Sequence, residues 1–227
     1  DAAASTLELS STELGNVTAT TLVVGKSDSG AIVVSADVTP TNVTNLHLIT
    51  GAGVTGTAGG IAGDKNLAIE AGGAVNITDA STAVGTLAIS NAGNTVTFTE
   101  SNGFSVGSVD GVIGVSGSTV ALTATTGNLT VTNTANANDI NATGAVTLTA
   151  AAADALVTVS TTADVKTTTG GVTINADKID LAGTITASGQ TVTLRPQTAA
   201  VAIDLGSGTD AAASTLELSS TELGNVT

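Results

Sequence analysis

Cysteine, methionine, tryptophan and tyrosine are absent from the 227 residues, and Phe98 and Phe104 are the only aromatic side chains. Without cysteine there is no disulfide and no thiolate chemistry. Proline occurs twice and charged residues make up 11% of the chain. Collagen, which needs abundant proline, is excluded. So are helical bundles, which are rich in Glu, Lys and Arg. No apolar run approaches the roughly 20 residues of a membrane span. A disordered tail would be poor in aliphatics, whereas hydrophobic residues are 41% here.

Positive charge is equally scarce. Lys26, Lys65, Lys166, Lys178 and Arg195 stand against 19 acids, for a net charge of −14. A nucleic-acid backbone needs a clustered basic patch, and these five are scattered, so neither nucleic acid nor membrane insertion is expected. The first residues, Asp1 to Ser5, lack the basic and apolar regions of a signal peptide. If the protein is exported, this stretch is expected to be internal.

What is present is repetition. Residues 1–18 read DAAASTLELSSTELGNVT, and residues 210–227 read the same. Eighteen consecutive identities define one full unit, 1–209, and the start of a next identical unit, 210–227. A looser period runs inside the unit. Leu46/Leu48, Leu67/Ile69 and Leu87/Ile89 head similar phrases, followed later by Asn128-Leu-Thr-Val, Ala145-Val-Thr-Leu, Gly171-Val-Thr-Ile and Thr191-Val-Thr-Leu. Each phrase alternates apolar and small polar residues, as a strand with one buried face does. Gly, Asn, Asp and Ser fill the gaps, where turns need them. No stretch shows a capped helical pattern long enough to nucleate alone.

Short β-branched strands at about 20 residues per coil predict an all-β parallel β-helix, or β-solenoid, of ten or so coils with two or three strands each. Aliphatic columns should fill it, and turn asparagines should stack into ladders. The alternative, a pair of β-sandwiches, ordinarily buries an aromatic residue in each domain.

Thr193-Leu-Arg-Pro-Gln-Thr198, Ala202-Ile-Asp-Leu-Gly206 and Leu216-Glu-Leu-Ser219 with Glu222-Leu223 resemble the repeats of filamentous-haemagglutinin-like bacterial surface proteins. The likeness covers about 30 residues per unit, plus the general Thr/Val/Gly coil pattern. It implies a right-handed parallel β-helix, an extracellular or cell-surface location, and a fibrous shaft used in adhesion or biofilm. The secretion domain and Arg-Gly-Asp motif of such proteins do not occur here. The partners implied are neighbouring copies end to end and a host or matrix surface.

Motifs for chemistry are sparse. Gly51-Ala-Gly-Val-Thr-Gly56 spells a dinucleotide fingerprint, but a Gly-rich turn explains it better because no helix-forming segment follows. Gly206-Ser-Gly-Thr-Asp210 resembles half of a calcium-binding nonapeptide, and Asp64 follows a similar run. No resident cofactor is expected; calcium at Asp64 or Asp210 is the one ion the sequence leaves open. His47, the sole imidazole, sits between Leu46 and Leu48 and should point to solvent. Asp177-Lys-Ile-Asp180 reads as surface charge. No catalytic set is evident and no enzyme is expected. Repeated Thr-x-Thr pairs leave an ice-binding face as an alternative, and a calcium- or glycan-binding module as another. N-x-T sequons at Asn16, Asn42, Asn76, Asn128 and Asn141, the first returning at Asn225 in the repeated stretch, follow from composition.

Overall fold

The computed structural model describes residues 6–91, 93–134 and 139–227. The chain winds as a parallel β-solenoid of about eight turns of roughly 22 residues. One wall is an eight-stranded parallel sheet running from Ile32–Val33 through Val54–Gly56, Val75–Ile77, Val96–Glu100, Val120–Ala124, Val146–Ala150 and Val172–Asn175 to Val192–Arg195.

The facing wall changes along the axis. It starts as four long strands, Ala19–Lys26, Val43–Thr50, Lys65–Ala71 and Val84–Asn91. At Val84–Asn91 it divides: Leu87 pairs with Val106 on one branch, and Ile89 with Val115 on the other. The first branch continues through Leu129–Val131 and Leu156–Val159 to Lys178–Leu181. The second passes through Ile140–Ala142 and Asp164–Thr167 to Thr184–Thr186. Early turns therefore carry two strands and later ones three. The expected 20-residue coil holds only at the ends of this range. Asn66 bonds Asn45 across 21 residues, Asn175 bonds Thr149 across 26, and Arg195 bonds Asn175 across 20. About eight such coils are formed, where ten or so were expected.

Register follows from the alternating pattern, since a slip of one residue would turn every aliphatic side chain outward. Valines 54, 75, 96, 120, 146, 172 and 192 form one inward column. Leu48, Ile69, Ile89, Val115, Ile140, Val165 and Ile185 form another. Each fully buried Leu, Ile or Val contributes about 1.5–3 kcal/mol. Outward, Asn66 donates to Asn45 Oδ1 at 2.9 Å and Asn45 donates to Thr21 Oγ1 at 3.1 Å, a side-chain ladder formed by strand residues and not by the turn asparagines expected to stack.

Glycine is required where the second branch begins. Gly114 has φ +64°, and a Cβ there would lie 2.2 Å from the Asp139 carbonyl oxygen.

Two helices depart from the sequence expectation: Ser11–Gly15 and Ser220–Gly224. Each is a single turn held by a complete capping box, Ser10 with Glu13 and Ser219 with Glu222. No helix of the described residues is long and apolar enough to cross a membrane.

Candidate functional site

His47 is outward of the leucines beside it, as the alternation requires, yet it is only 4% exposed. The expectation of a solvent-facing imidazole is corrected by an element the sequence reading missed. Ser108–Val109 and Val112–Ile113 form an antiparallel hairpin inserted where the wall divides. Its turn is Asp110-Gly111, both at positive φ (+48° and +85°). An Asp-Gly pair between apolar residues is a strong hairpin signal and was legible in the sequence. The hairpin folds back over the outer wall, where Val109 and Val112 cover Ala68 and Ala88. His47 and Ala68 are neighbours in register, so Asp110 at the tip reaches the imidazole.

The Nδ1 of His47 lies 2.8 Å from Asp110 Oδ2, and Nε2 lies 3.1 Å from Glu70 Oε1 without hydrogen-bond alignment. An ionised carboxylate only accepts, so Nδ1 carries the proton toward Asp110. Thr21 donates to the other Asp110 oxygen at 3.5 Å. With a carboxylate on each side, the ring works as a clamp on the hairpin. Asp110→Ala should lower amide protection across Ser108–Ile113 while the walls stay protected, at a cost of about 1–3 kcal/mol. Asp110→Asn keeps both an acceptor and a residue tolerant of positive φ, and should retain most of that protection in hydrogen exchange.

The two residues singled out for calcium have different settings. Asp64 is an exposed turn residue at φ +51° whose amide donates to the Ala83 carbonyl. Asp210 joins Asp180 and Glu222, with one carboxylate oxygen of each within 4.8 Å of the others. These are the described residues that could hold a cation. Burial, then the charges of Glu222, Asp180 and Glu217, push the Asp210 carboxyl up to about 6. Its contribution to stability is therefore complete below the ordinary value of 3.8 and is lost as pH rises through about 6.

Asp177 is not the surface charge expected from sequence. It is buried and accepts from the amides of Asp154, Gln197 and Thr198 at 2.7 to 3.0 Å. Its burial raises the carboxyl's pKa, but the bonds from Thr198, Asp154 and Gln197 outweigh that and hold it below the usual range. Asp180 is half-buried and shifted upward, by burial and then by Glu222.

In the Gly51–Gly56 motif, Val54–Gly56 is a strand of the eight-stranded wall. The threonines of that wall stand in register. Thr99, Thr123 and Thr149 form one outward row, and Thr147, Thr173 and Thr193 another. Ala121 follows Thr97 in the second row, and Asn175 and Arg195 follow Thr149 in the first.

The end of the unit is structured as well. Glu217 is buried in the loop that precedes it, accepting from Ser207 Oγ, from Thr209 Oγ1 at 3.3 Å and from the Ala212 amide at 2.8 Å. The hydrogen bond from Ser207, with that from Ala212, holds its carboxyl below the ordinary range. The Ser214 amide donates to Asp154 Oδ1 at 2.8 Å, tying the loop to an earlier coil. Comparison with family models, with curated proteins and with solved structures finds no match.

Proposed function

We propose that the chain is a shaft segment of a tandem-repeat fibre at or beyond a bacterial cell surface, of the filamentous-haemagglutinin-like kind its coil phrases resemble. One observation carries the reading: the aliphatic column ending at Ile185 is extended by Val226, which bridges Ile185 in parallel and lies within the second copy of the repeated sequence. The second copy adds to the same stack. The first strand of the unit, Ala19–Lys26, lies at the opposite end of the sheet order from Lys178–Leu181 and Thr184–Thr186. In this reading the work is mechanical: strand ladders and aliphatic columns run along one axis, and the acidic surface keeps neighbouring fibres apart.

Negative-stain electron microscopy of the native material should show thin unbranched filaments a few nanometres wide; compact globules would overturn the reading. A second reading is favoured by the registered Thr rows, which would order water on a flat face. Thermal hysteresis measured on the same sample would support it, and a freezing curve identical to a buffer control would remove it.

A further inference from the structure

The sequence Thr6–Thr18 returns residue for residue as Thr215–Thr227. One structure therefore shows the same segment in two settings. Both copies fold into the same capped turn of helix, but their burial is complementary. Leu7 is 75% exposed, and its counterpart Leu216 is 0% exposed. Leu14 is 7% exposed, and its counterpart Leu223 is 43% exposed. Leu9 and Glu13 are exposed, and Leu218 and Glu222 are buried.

The contacts explain the inversion. The first copy is held by coils that follow it: the Thr39 amide donates to Ser11 Oγ at 3.0 Å, and Asn42 Nδ2 to the Gly15 carbonyl at 2.7 Å. The second copy is held by coils that precede it. The Leu181 amide donates to Glu222 Oε1 at 3.2 Å, and Asn225 Nδ2 to the Leu181 carbonyl at 2.7 Å. The Ile185 amide donates to the Asn225 carbonyl at 3.0 Å, and the Thr227 amide to the Ile185 carbonyl at 2.8 Å. Thr215–Leu218 pairs in parallel with Ala202–Leu205. The two sets of contacts use different atoms of the same sequence, so one copy can make both at once.

We propose that this segment is a two-faced seam between units, seated by Leu216, Leu218, Glu222 and Asn225 on the end of one unit and by the counterparts of Ser11, Leu14 and Gly15 on the start of the next. The proposal rests on the array reading above and names its partner, a second copy of this chain. The apolar groove at the start of the solenoid, lined by Leu7, Leu9, Val24, Ile32, Leu46 and Leu48, is then filled by the last coil of the preceding copy. The groove at the far end, lined by Val192, Leu194, Leu218, Leu223 and Val226, is closed by the first coil of the following one. The occupant is argued from continuity: Thr215–Thr227 already shows half of this interface.

The test uses a two-unit chain, residues 1–209 followed directly by 1–227. Its middle copy should be protected from hydrogen exchange on both faces, at the Leu216 and the Leu223 positions. Proteolysis within the Gly206–Ser214 loop of that junction should be about tenfold slower than in the single chain. Leu216→Asp at the junction should restore rapid cleavage, whereas Leu7→Asp at the free start should leave it unchanged. Because Leu216→Asp risks unfolding the last coil, Leu216→Ala is measured beside it, with amide protection of Val172–Asn175 reporting on folding. A junction cleaved as fast as in the single chain, or equal effects of the Leu7 and Leu216 substitutions, would overturn the seam. If that happens while native material still forms straight filaments, the seam fails and the fibre reading stands; globular native material sinks the fibre reading itself.

Discussion

Phe98→Ala should destabilise the solenoid by about 3–5 kcal/mol, the range for removing a buried phenylalanine. Phe98 is fully buried, and its ring meets Phe104 edge-on at 5.5 Å with an interplanar angle of 65°. Such a pair adds about 0.5–1.5 kcal/mol beyond area burial. Its place in the fold makes the loss large. Phe98 lies in a column between Ile77 and Leu122, and Phe104 opens the first branch of the divided wall. The two rings thus sit at the turn where the cross-section passes from two strands to three. The walls there are held apart by backbone ladders to the coils on either side, so they have little freedom to collapse into a void. Urea denaturation of Phe98→Ala and Phe98→Leu checks this: the leucine, already used at position 122 in the same column, should recover most of the loss. A deficit below about 1 kcal/mol for the alanine variant would mean that the walls close in after all.

Removing the charge at Glu100 should have the opposite sign. Glu100 faces inward at the head of the Ala124 and Ala150 column and is 0% exposed. Neither carboxylate oxygen closes a hydrogen bond, although the Asn102 and Val84 amides lie close. Burial raises its pKa above the ordinary 4.5, helped by the charge of Asp64 and opposed by those amides. The folded state therefore keeps the proton longer than the unfolded chain. This group's stability is fully present below 4.5 and is lost as pH rises through the elevated folded value. Glu100→Gln should abolish that slope in melting curves taken between acid and mildly alkaline pH. Glu100→Met, which leaves nothing polar to desolvate, should stabilise the protein at pH 8 by about 1–3 kcal/mol. A pH dependence of stability identical in the wild type and in Glu100→Gln would contradict the assignment.

The coil phrases of the sequence carried the architecture because a parallel strand buried on one face must alternate, and Val, Ile and Thr do so almost without error from Val54 to Val192. The Asn45–Asn66 ladder was legible for the same reason: identical residues one coil apart are stacked by the register. Features that depend on where the coil leaves this pattern were harder to read. The division of the wall at Val84–Asn91 has no signature in local alternation, only in the lengthening of the coils beyond it. The Asp110-Gly111 turn was visible as a dipeptide, but what it covers was not. Its target, His47, lies in an earlier coil and is reached only through the outer surface. The short helices were missed because one turn has no periodicity, although Ser-x-x-Glu marked both starts. Asp177 looked like surface charge beside Lys178 because sequence does not show which loop amides converge on a carboxylate.

The passage from a two-stranded to a three-stranded cross-section has a mechanical meaning. A thin slab bends readily across its faces, whereas a three-sided prism resists bending in every direction. In a tandem array each unit would join a compliant section, spanning the turns before Val84–Asn91, to a rigid one beyond it. The hairpin clamped by His47 lies as a splint over the outer face of the slab next to the transition. Flexure of such a fibre would be concentrated at regular intervals between stiff segments, and would not be spread evenly along its length.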